Sequence, residues 1–239
     1  MLCIKTNSTD AYFNLAAEEY FLKNFDRDIF MVWQNANAVI VGFNQITQNE
    51  IDRDIAKAKK IQVVRRLTGG GAVYHDMGNI NYTFIRRKDA GHFNDFPYFA
   101  KPLTDFLNTL GVEAVFSGKN DILIDGKKCC GTAQTIHDDD VLFHGTLLVE
   151  TDFSVLSSVL KPDYSKLKRH AIKSVVSRVV NLTEFLPFVT APKMFERIYE
   201  YFAKDGEEYE MTESDIKAVD KLRESKYTKD SWNYGEGEQ

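Results

Sequence analysis

The chain has 239 residues, 44% hydrophobic and 27% charged, with 14 Gly, 5 Pro and 3 Cys. That composition supports a sizeable folded core and excludes a disordered, collagen-like or disulfide-stapled chain. The net charge of −5 argues against a partner held mainly by nucleic-acid phosphates, and no apolar run is long enough to span a bilayer. The N-terminus lacks a signal-peptide pattern, so a cytoplasmic location is expected.

Asp10 is a candidate N-cap for a helix in which Phe13, Ala17, Tyr20 and Phe21 recur at helical spacing. Strand-like runs follow at Ile29–Trp33 and Ala38–Gly42, then at Gln62–Arg66, Ala72–His75 and Asn79–Ile85, the last two around an Asp76-Met77-Gly78 turn. A helix is expected over Pro102–Leu110, with Pro102 in its first turn and Gly111 as its stop. Strands are expected at Asp121–Ile124, Lys128–Gln134 and Val141–Val149, the first two joined by an Asp125-Gly126 hairpin. The remainder is helical in pattern. Thr190–Lys204 places Met194, Ile198, Tyr201 and Phe202 on one face, and a polar tail carries Trp232 and Tyr234. Hairpin strands with segregated helices give an α+β domain and not an alternating βαβ order.

Arg65-Arg66-Leu67-Thr68-Gly69-Gly70-Gly71 is the most informative stretch. Consecutive glycines let backbone N–H groups converge on an anion, and the arginines add donors suited to carboxylate or phosphate. The same residues also fit a plain glycine-rich turn with exposed arginines. The Gly-Lys-Ser/Thr of a P-loop is missing. His75-Asp76 admits a general-base reading, although a side-chain-stabilised turn suits Asp76 better. Lys127-Lys128 follows the hairpin, where a lysine is either solvated or a fixed charge facing an anion. Cys129 and Cys130 should point in opposite directions along a strand and read as small core-filling residues. His144 and the run Lys173 to Arg178 complete the candidate clusters, and no metal-ligand spacing occurs.

In order, Asp10–Ala16, Trp33-Gln34-Asn35, Val41–Gln45, Arg65–Asn79, Ser117–Ile122, Gly126-Lys127-Lys128, Gly131–Gln134, His144–Leu148, and Lys173-Ser174-Val175 with Ser177-Arg178-Val179 resemble the lipoate–protein ligase A family of the biotin/lipoate ligase superfamily. The resemblance implies one catalytic domain over residues 1–239, with mixed and antiparallel sheets flanked by helices. Residues 190–239 would form a helical tail leading toward an accessory domain. It implies a reaction in two steps: lipoate and ATP form lipoyl-adenylate, which then acylates a lysine. The acceptors would be apo lipoyl domains of 2-oxoacid dehydrogenase E2 subunits and the glycine-cleavage H protein. No nucleic-acid or membrane partner is expected.

By the same resemblance Lys128 is the catalytic lysine. Arg66, Thr68, Gly69, Gly70, Gly71, Ala72, Val73, Tyr74, His75, Asn79, Asp121, His144, Lys173, Ser177 and Arg178 would hold lipoate and nucleotide. Asp121 is in addition a candidate ligand for Mg²⁺. Phe43 stands where arginine is common, and His170-Ala171 and Val176 depart from the family's adenylate loop. The family's usual tail motif ends here at Gly235, where an accessory domain ordinarily follows. An alternative is therefore a lipoyl or octanoyl transferase that works from preformed adenylate or an acyl carrier and needs a separate accessory chain for activation. A carrier-dependent transferase would use a cysteine nucleophile. A lipoate-binding protein that has lost activation is the non-enzyme alternative.

Overall fold

The computed structural model describes residues 1–160 and 179–235. Its strands are β1 Leu2–Lys5, β2 Ile29–Trp33, β3 Asn37–Val41, β4 Gln62–Arg65, β5 Val73–Asp76, β6 Asn79–Arg86, β7 Ala114–Ser117, β8 Asp121–Ile124, β9 Lys127–His137, β10 Asp140–Leu148 and β11 Glu207–Glu208. The helices are α1 Ala11–Asn24, α2 Thr47–Glu50, α3 Arg53–Ala58, α4 Phe96–Thr109, α5 Phe153–Val159, α6 Ala191–Ala203, α7 Glu213–Leu222 and α8 Asp230–Tyr234. One sheet has the order β11-β1-β2-β6-β10-β9-β8-β7 and the other β4-β3-β5. Strand β1 runs parallel to β2 and β3 parallel to β4, whereas the β2-β6-β10-β9-β8-β7 stretch is antiparallel throughout. This is the expected α+β arrangement of mixed sheets with flanking helices.

Alternation along the central strands sorts residues onto two faces. Phe30 and Val32 of β2, Ile80, Tyr82 and Phe84 of β6, and Val141, Phe143 and Leu147 of β10 join one core with α4 and α6. Ile29, Met31, Trp33, Ile85 and Leu142 face the other way, toward α1 and the small sheet. Between them on that second face stand Asn79, Asn81 and Thr83 of β6, whose cross-strand partners on β10 are Leu148, Thr146 and His144.

Several boundaries differ from the sequence reading. The expected turn at Asp76–Gly78 carries the chain from the small sheet to the large one. Asp76 accepts from the backbone N–H groups of Gly78 (2.8 Å) and Asp152 (2.8 Å), so it serves the turn. Helix α4 begins at Phe96, six residues before the expected start, because Asp95 caps it by accepting from the Tyr98 N–H and a proline already fills its first turn. Pro102 is thus interior, where it removes one helical donor. Tyr201 is 40% exposed, and the buried stripe of α6 runs through Met194, Phe195, Ile198, Tyr199 and Phe202. The hairpin at Asp125-Gly126 is as expected, with positive φ at both residues (50° and 70°).

Cys129 and Cys130 do not point apart. A bulge between β8 and β9 pairs Ile122 with Cys130 and Leu123 with Lys128, leaving Cys129 as the extra residue. Both thiols enter the same core and are fully buried. The tail docks on the small sheet. Trp232 Nε1 donates to the Arg65 carbonyl (2.9 Å), Arg65 Nε donates to the Trp232 carbonyl (2.9 Å), and the Arg65 N–H donates to Asn233 Oδ1 (2.9 Å).

Candidate active site

A cleft of about 260 Å³ lies between the second face of the large sheet and the glycine-rich loop. One row of cross-strand partners crosses its floor, Gly131 on β9, Thr146 on β10, Asn81 on β6 and Trp33 on β2, and continues beyond it to Asp121 on β8. Lys128 Nζ lies 2.7 Å from Asp121 Oδ1, both side chains being about one-third exposed. The lysine reaches that carboxylate by folding over Gly131, where a Cβ would come within 2.7 Å of Nζ. The cation is therefore held at the open end of the row.

Arg66, Gly70, Gly71, Ala72, Val73, Tyr74, His75, Lys128 and His144 line the cleft, as the sequence reading placed them. Thr68, Gly69, Asn79 and Asp121 are not among the lining residues. Lys173, Ser177 and Arg178, with the departures His170, Ala171 and Val176, lie outside the described residues.

The two neighbouring arginines do different things. Arg65 donates to the Gly42, Phe43 and Gln45 carbonyls and to Thr47, away from the cleft. Arg66 is 5% exposed and turns its guanidinium onto the loop. It donates to Thr68 Oγ1 (2.9 Å) and to the carbonyls of Ile40 (3.1 Å), Gly69 (2.6 Å) and Gly71 (2.9 Å). Burial, opposed by Glu18, brings its pKa down to about 10, so it stays charged at neutral pH. The exposed-arginine reading of this loop is thereby corrected. Gly70 has φ +96°, and its carbonyl lies 2.0 Å from where a Cβ at Gly42 would be. Among the described residues, Cβ atoms at Gly69 and Gly71 would meet nothing within 4 Å, and Gly70 and Gly71 line the cleft.

Two buried polar chains support the cleft, and both include residues that the sequence reading missed. In the first, Glu18 of α1 bonds His144 Nδ1 (2.9 Å) while His144 Nε2 meets Thr68 Oγ1 (2.8 Å). With the proton on Nδ1, Thr68 accepts from Arg66 and donates to Nε2, which satisfies every member. Thr83, itself bonded by Trp33 Nε1 (3.0 Å), donates to the same carboxylate. In the second, His75 Nδ1 meets Asn35 Nδ2 (3.0 Å) and Nε2 meets Thr146 Oγ1 (3.0 Å). Burial, with the nearby Arg66 and His144, lowers the His75 pKa to about 3. The ring is neutral and bonded on both nitrogens, and its carboxylate neighbour Asp76 faces the turn, so the general-base reading fails. The available signals were Glu18 on the same helical face as Leu15 and Leu22, and the Asn79-Ile80-Asn81-Tyr82-Thr83-Phe84 alternation in a strand buried on both faces.

The thiols offer no nucleophile. Burial raises Cys129 well above the ordinary thiol range and Cys130 to about 12. Among the described residues no cluster of His, Cys, Asp or Glu could hold a metal by itself, and no helix is long and apolar enough to cross a membrane.

Residues 10–203 match the model of the lipoyl protein ligase A/B catalytic domain. A probable lipoate-protein ligase A of Mycoplasma pneumoniae is 39% identical over 94% of this chain and 68% of its own length. Lipoate–protein ligase 1 of Staphylococcus aureus is 39% identical over 96% of this chain and 71% of its own. Among solved structures, a bipartite lipoate protein ligase of Thermoplasma acidophilum, studied with its E2 lipoyl domain, has a TM-score of 0.87 at 31% identity, covering 98% of this chain and 95% of that one. A T. acidophilum protein with bound lipoic acid gives 0.83 at 29% identity, and a lipoate-protein ligase A bound with ATP gives 0.84 at 29%, each covering 98% of both chains.

Proposed function

The chain belongs to the lipoyl protein ligase A/B catalytic-domain family, and from that premise we propose that it joins lipoate to a lysine of a lipoyl domain at the expense of ATP. The observation that carries the reading is Lys128, held by Asp121 over Gly131 in an apolar cleft that Gly70 and Gly71 of the glycine-rich loop also line. The described residues act as one catalytic unit in this reading.

In the first step a lipoate carboxylate oxygen attacks the α-phosphorus of ATP and pyrophosphate leaves. In the second, the neutral acceptor amine attacks the acyl carbon, the C–N bond forms, the C–O bond to phosphate breaks, AMP leaves and the amine loses its proton to solvent. The mixed anhydride is already activated, so no enzyme nucleophile is required. Lys128 Nζ stabilises the charge that grows on the acyl and phosphate oxygens. Backbone amides at Gly69–Gly71 approach the phosphate, with Ala72, Val73 and Tyr74 continuing the roof. Arg66, Thr68, His144, His75 and Asn79 keep that roof and floor in place. Lys173, Ser177 and Arg178 contact the adenylate. Mg²⁺, when bound with the nucleotide, offsets phosphate charge. Such ions commonly take only one or two protein carboxylates, and Asp121, about one-third exposed, fits as one.

The acceptors are E2 lipoyl domains and the glycine-cleavage H protein. Transfer through a cysteine thioester is disfavoured by the burial and raised pKa of both vicinal thiols. The test is intact-mass spectrometry of an apo lipoyl domain incubated with lipoate plus Mg-ATP, or with preformed lipoyl-adenylate. A lipoyl mass gain in both mixtures, falling about a hundredfold in rate in Lys128→Met, is expected. Gain from adenylate alone assigns activation to a separate accessory chain. Gain in neither mixture rejects the ligase reading.

A further inference from the structure

Asn81 is 1% exposed and lines the cleft, yet its Nδ2 has no hydrogen-bond partner among the described residues. A buried N–H without an acceptor keeps its full desolvation penalty, so such groups are rare in native proteins unless a ligand or water meets them. Thr151 Oγ1 is also unpaired on this wall, but a hydroxyl rotates to donate or accept, whereas the Asn81 amide is fixed.

A directional chain decides which end of that amide faces the cleft. Asn14 Nδ2 is set as a donor by the carbonyls of Ser8 (2.9 Å) and Gln34 (2.8 Å), and it also faces Asn35 Oδ1 at 3.0 Å. Asn35 must then donate through Nδ2 to His75 Nδ1, at 3.0 Å. A ring that accepts at Nδ1 carries its proton on Nε2, which donates to Thr146 Oγ1 at 3.0 Å. Thr146 donates in turn to Asn81 Oδ1 at 2.8 Å. The chain thus assigns Oδ1 as the acceptor of Thr146 and leaves Nδ2–H as the unpaired end of a cleft-lining amide.

Its place in the floor says what it meets. Asn81 is the cross-strand partner of Thr146, and Thr146 is that of Gly131, over which Lys128 folds. Two strand spacings, about 10 Å, therefore separate Asn81 from the end of the cleft where the acyl carboxyl reacts. The next position in the row is Trp33, whose Nε1 is already bonded to Thr83, so it does not compete as a donor.

We propose that Asn81 Nδ2–H donates to a ring sulfur of the lipoyl dithiolane and thereby sets the preference for lipoate over octanoate, the sulfur-free acid of equal chain length. The inference rests on the ligase reading above. Octanoate offers no acceptor at that depth and leaves the donor buried and unpaired, whereas a dithiolane sulfur is a weak acceptor that satisfies it in part. Discrimination by stranding a polar group of the site needs no steric difference between the two acids.

The test compares kcat/KM for lipoate and for octanoate, each with Mg-ATP and an apo lipoyl domain, in wild type, Asn81→Leu and Asn81→Asp. Binding of each free acid is measured by calorimetry alongside. Leucine is close in bulk and removes the donor. Aspartate keeps the outline and the acceptor for Thr146, and it serves if the leucine variant does not fold. The lipoate-to-octanoate ratio is expected to fall about fivefold or more in either variant, with octanoate use rising in Asn81→Leu. An unchanged ratio, or equal losses for both acids, overturns the inference and makes Asn81 part of the wall. A wild type that ligates neither acid overturns the ligase reading instead. The calorimetric preference for lipoate and its dependence on Asn81 then decide the inference by themselves.

Discussion

The two faces of the large sheet are written by alternate residues of the same strands, yet they obey different rules. On the α4 and α6 side, Ile80, Tyr82 and Phe84 of β6 pack among Phe143, Leu147 and the two cysteines. The polar atoms there are few, such as the Tyr82 hydroxyl beside Cys130 Sγ at 3.9 Å. On the cleft side, the intervening Asn79, Asn81 and Thr83 are just as buried but polar, and each is held in a hydrogen-bonded chain. The first face stabilises through apolar area removed from water. The second stores polar groups that are expensive to desolvate and are repaid only when every partner is present. A strand buried on both faces that still alternates apolar with polar therefore marks its polar face as the working one.

The sharpest way to break that comparison is to disturb the core face alone. A Cβ on Gly145 would lie 2.5 Å from the Tyr82 hydroxyl and 2.6 Å from its ring, with no flexible group to yield. Gly145→Ala is expected to lower unfolding stability by about 3 kcal/mol in a denaturant titration. Activity per folded molecule should stay within about threefold of wild type, because the added methyl points away from the cleft. Activity lost without stability would show that the two faces are not separable.

A second test acts on the polar face through pH. His75 has its folded pKa pushed down to about 3 by burial, against an ordinary value of 6.5. Between those values the unfolded chain binds a proton that the folded one refuses. Stability therefore falls as pH drops below about 6.5, with a slope of up to about 1.4 kcal/mol per pH unit from this group. Carboxylates add their own acid dependence, so the measurement is the difference between wild type and His75→Gln. The variant should show a shallower fall in denaturant midpoint between pH 6 and pH 4. Equal slopes would mean that His75 takes up a proton in the fold.

Much of this plan was legible beforehand. The strands at Ile29–Trp33 and Asp121–Ile124 emerge with the boundaries that their apolar runs suggested, and α1 starts at the cap supplied by Asp10. The cleft residues from Gly70 to His75, with Lys128 and His144, also gather as expected. What the sequence hid were decisions made by tertiary contact. Nothing local says that Arg65 binds the tail and Arg66 the loop, since that depends on which side of β4 each residue leaves. The bulge that turns Cys129 inward exists only in the pairing of β8 with β9. The partnership of Glu18 with His144, more than a hundred residues apart in sequence, likewise carries no local signal.

The smallest expected effect on folding belongs to Gly131, and it sharpens the comparison most finely because its methyl would enter the cleft side. Among the described residues, the atoms a Cβ there would crowd are Lys128 Nζ at 2.7 Å and Cε at 2.8 Å. These are the far end of a flexible, part-exposed side chain, so the lysine can swing aside without disturbing the strand. Replacing a strand glycine with alanine also restricts the unfolded chain, which offsets residual strain by a few tenths to about 1 kcal/mol. Gly131→Ala is therefore expected to fold with a melting temperature within about 2 °C of wild type. In the proposed reaction its cost falls on catalysis, since the displaced ammonium would leave Asp121 and no longer face the acyl carbonyl. A loss of about tenfold in the rate of transfer from preformed adenylate, with lipoate binding unchanged, follows from a misplacement of that size. Gly145→Ala and Gly131→Ala then form a pair, one methyl on each face of one sheet, the first read in stability and the second in rate. If Gly131→Ala instead melted early and transferred normally, Gly131 would be serving the strand and the position of Lys128 would not be set by the space above it.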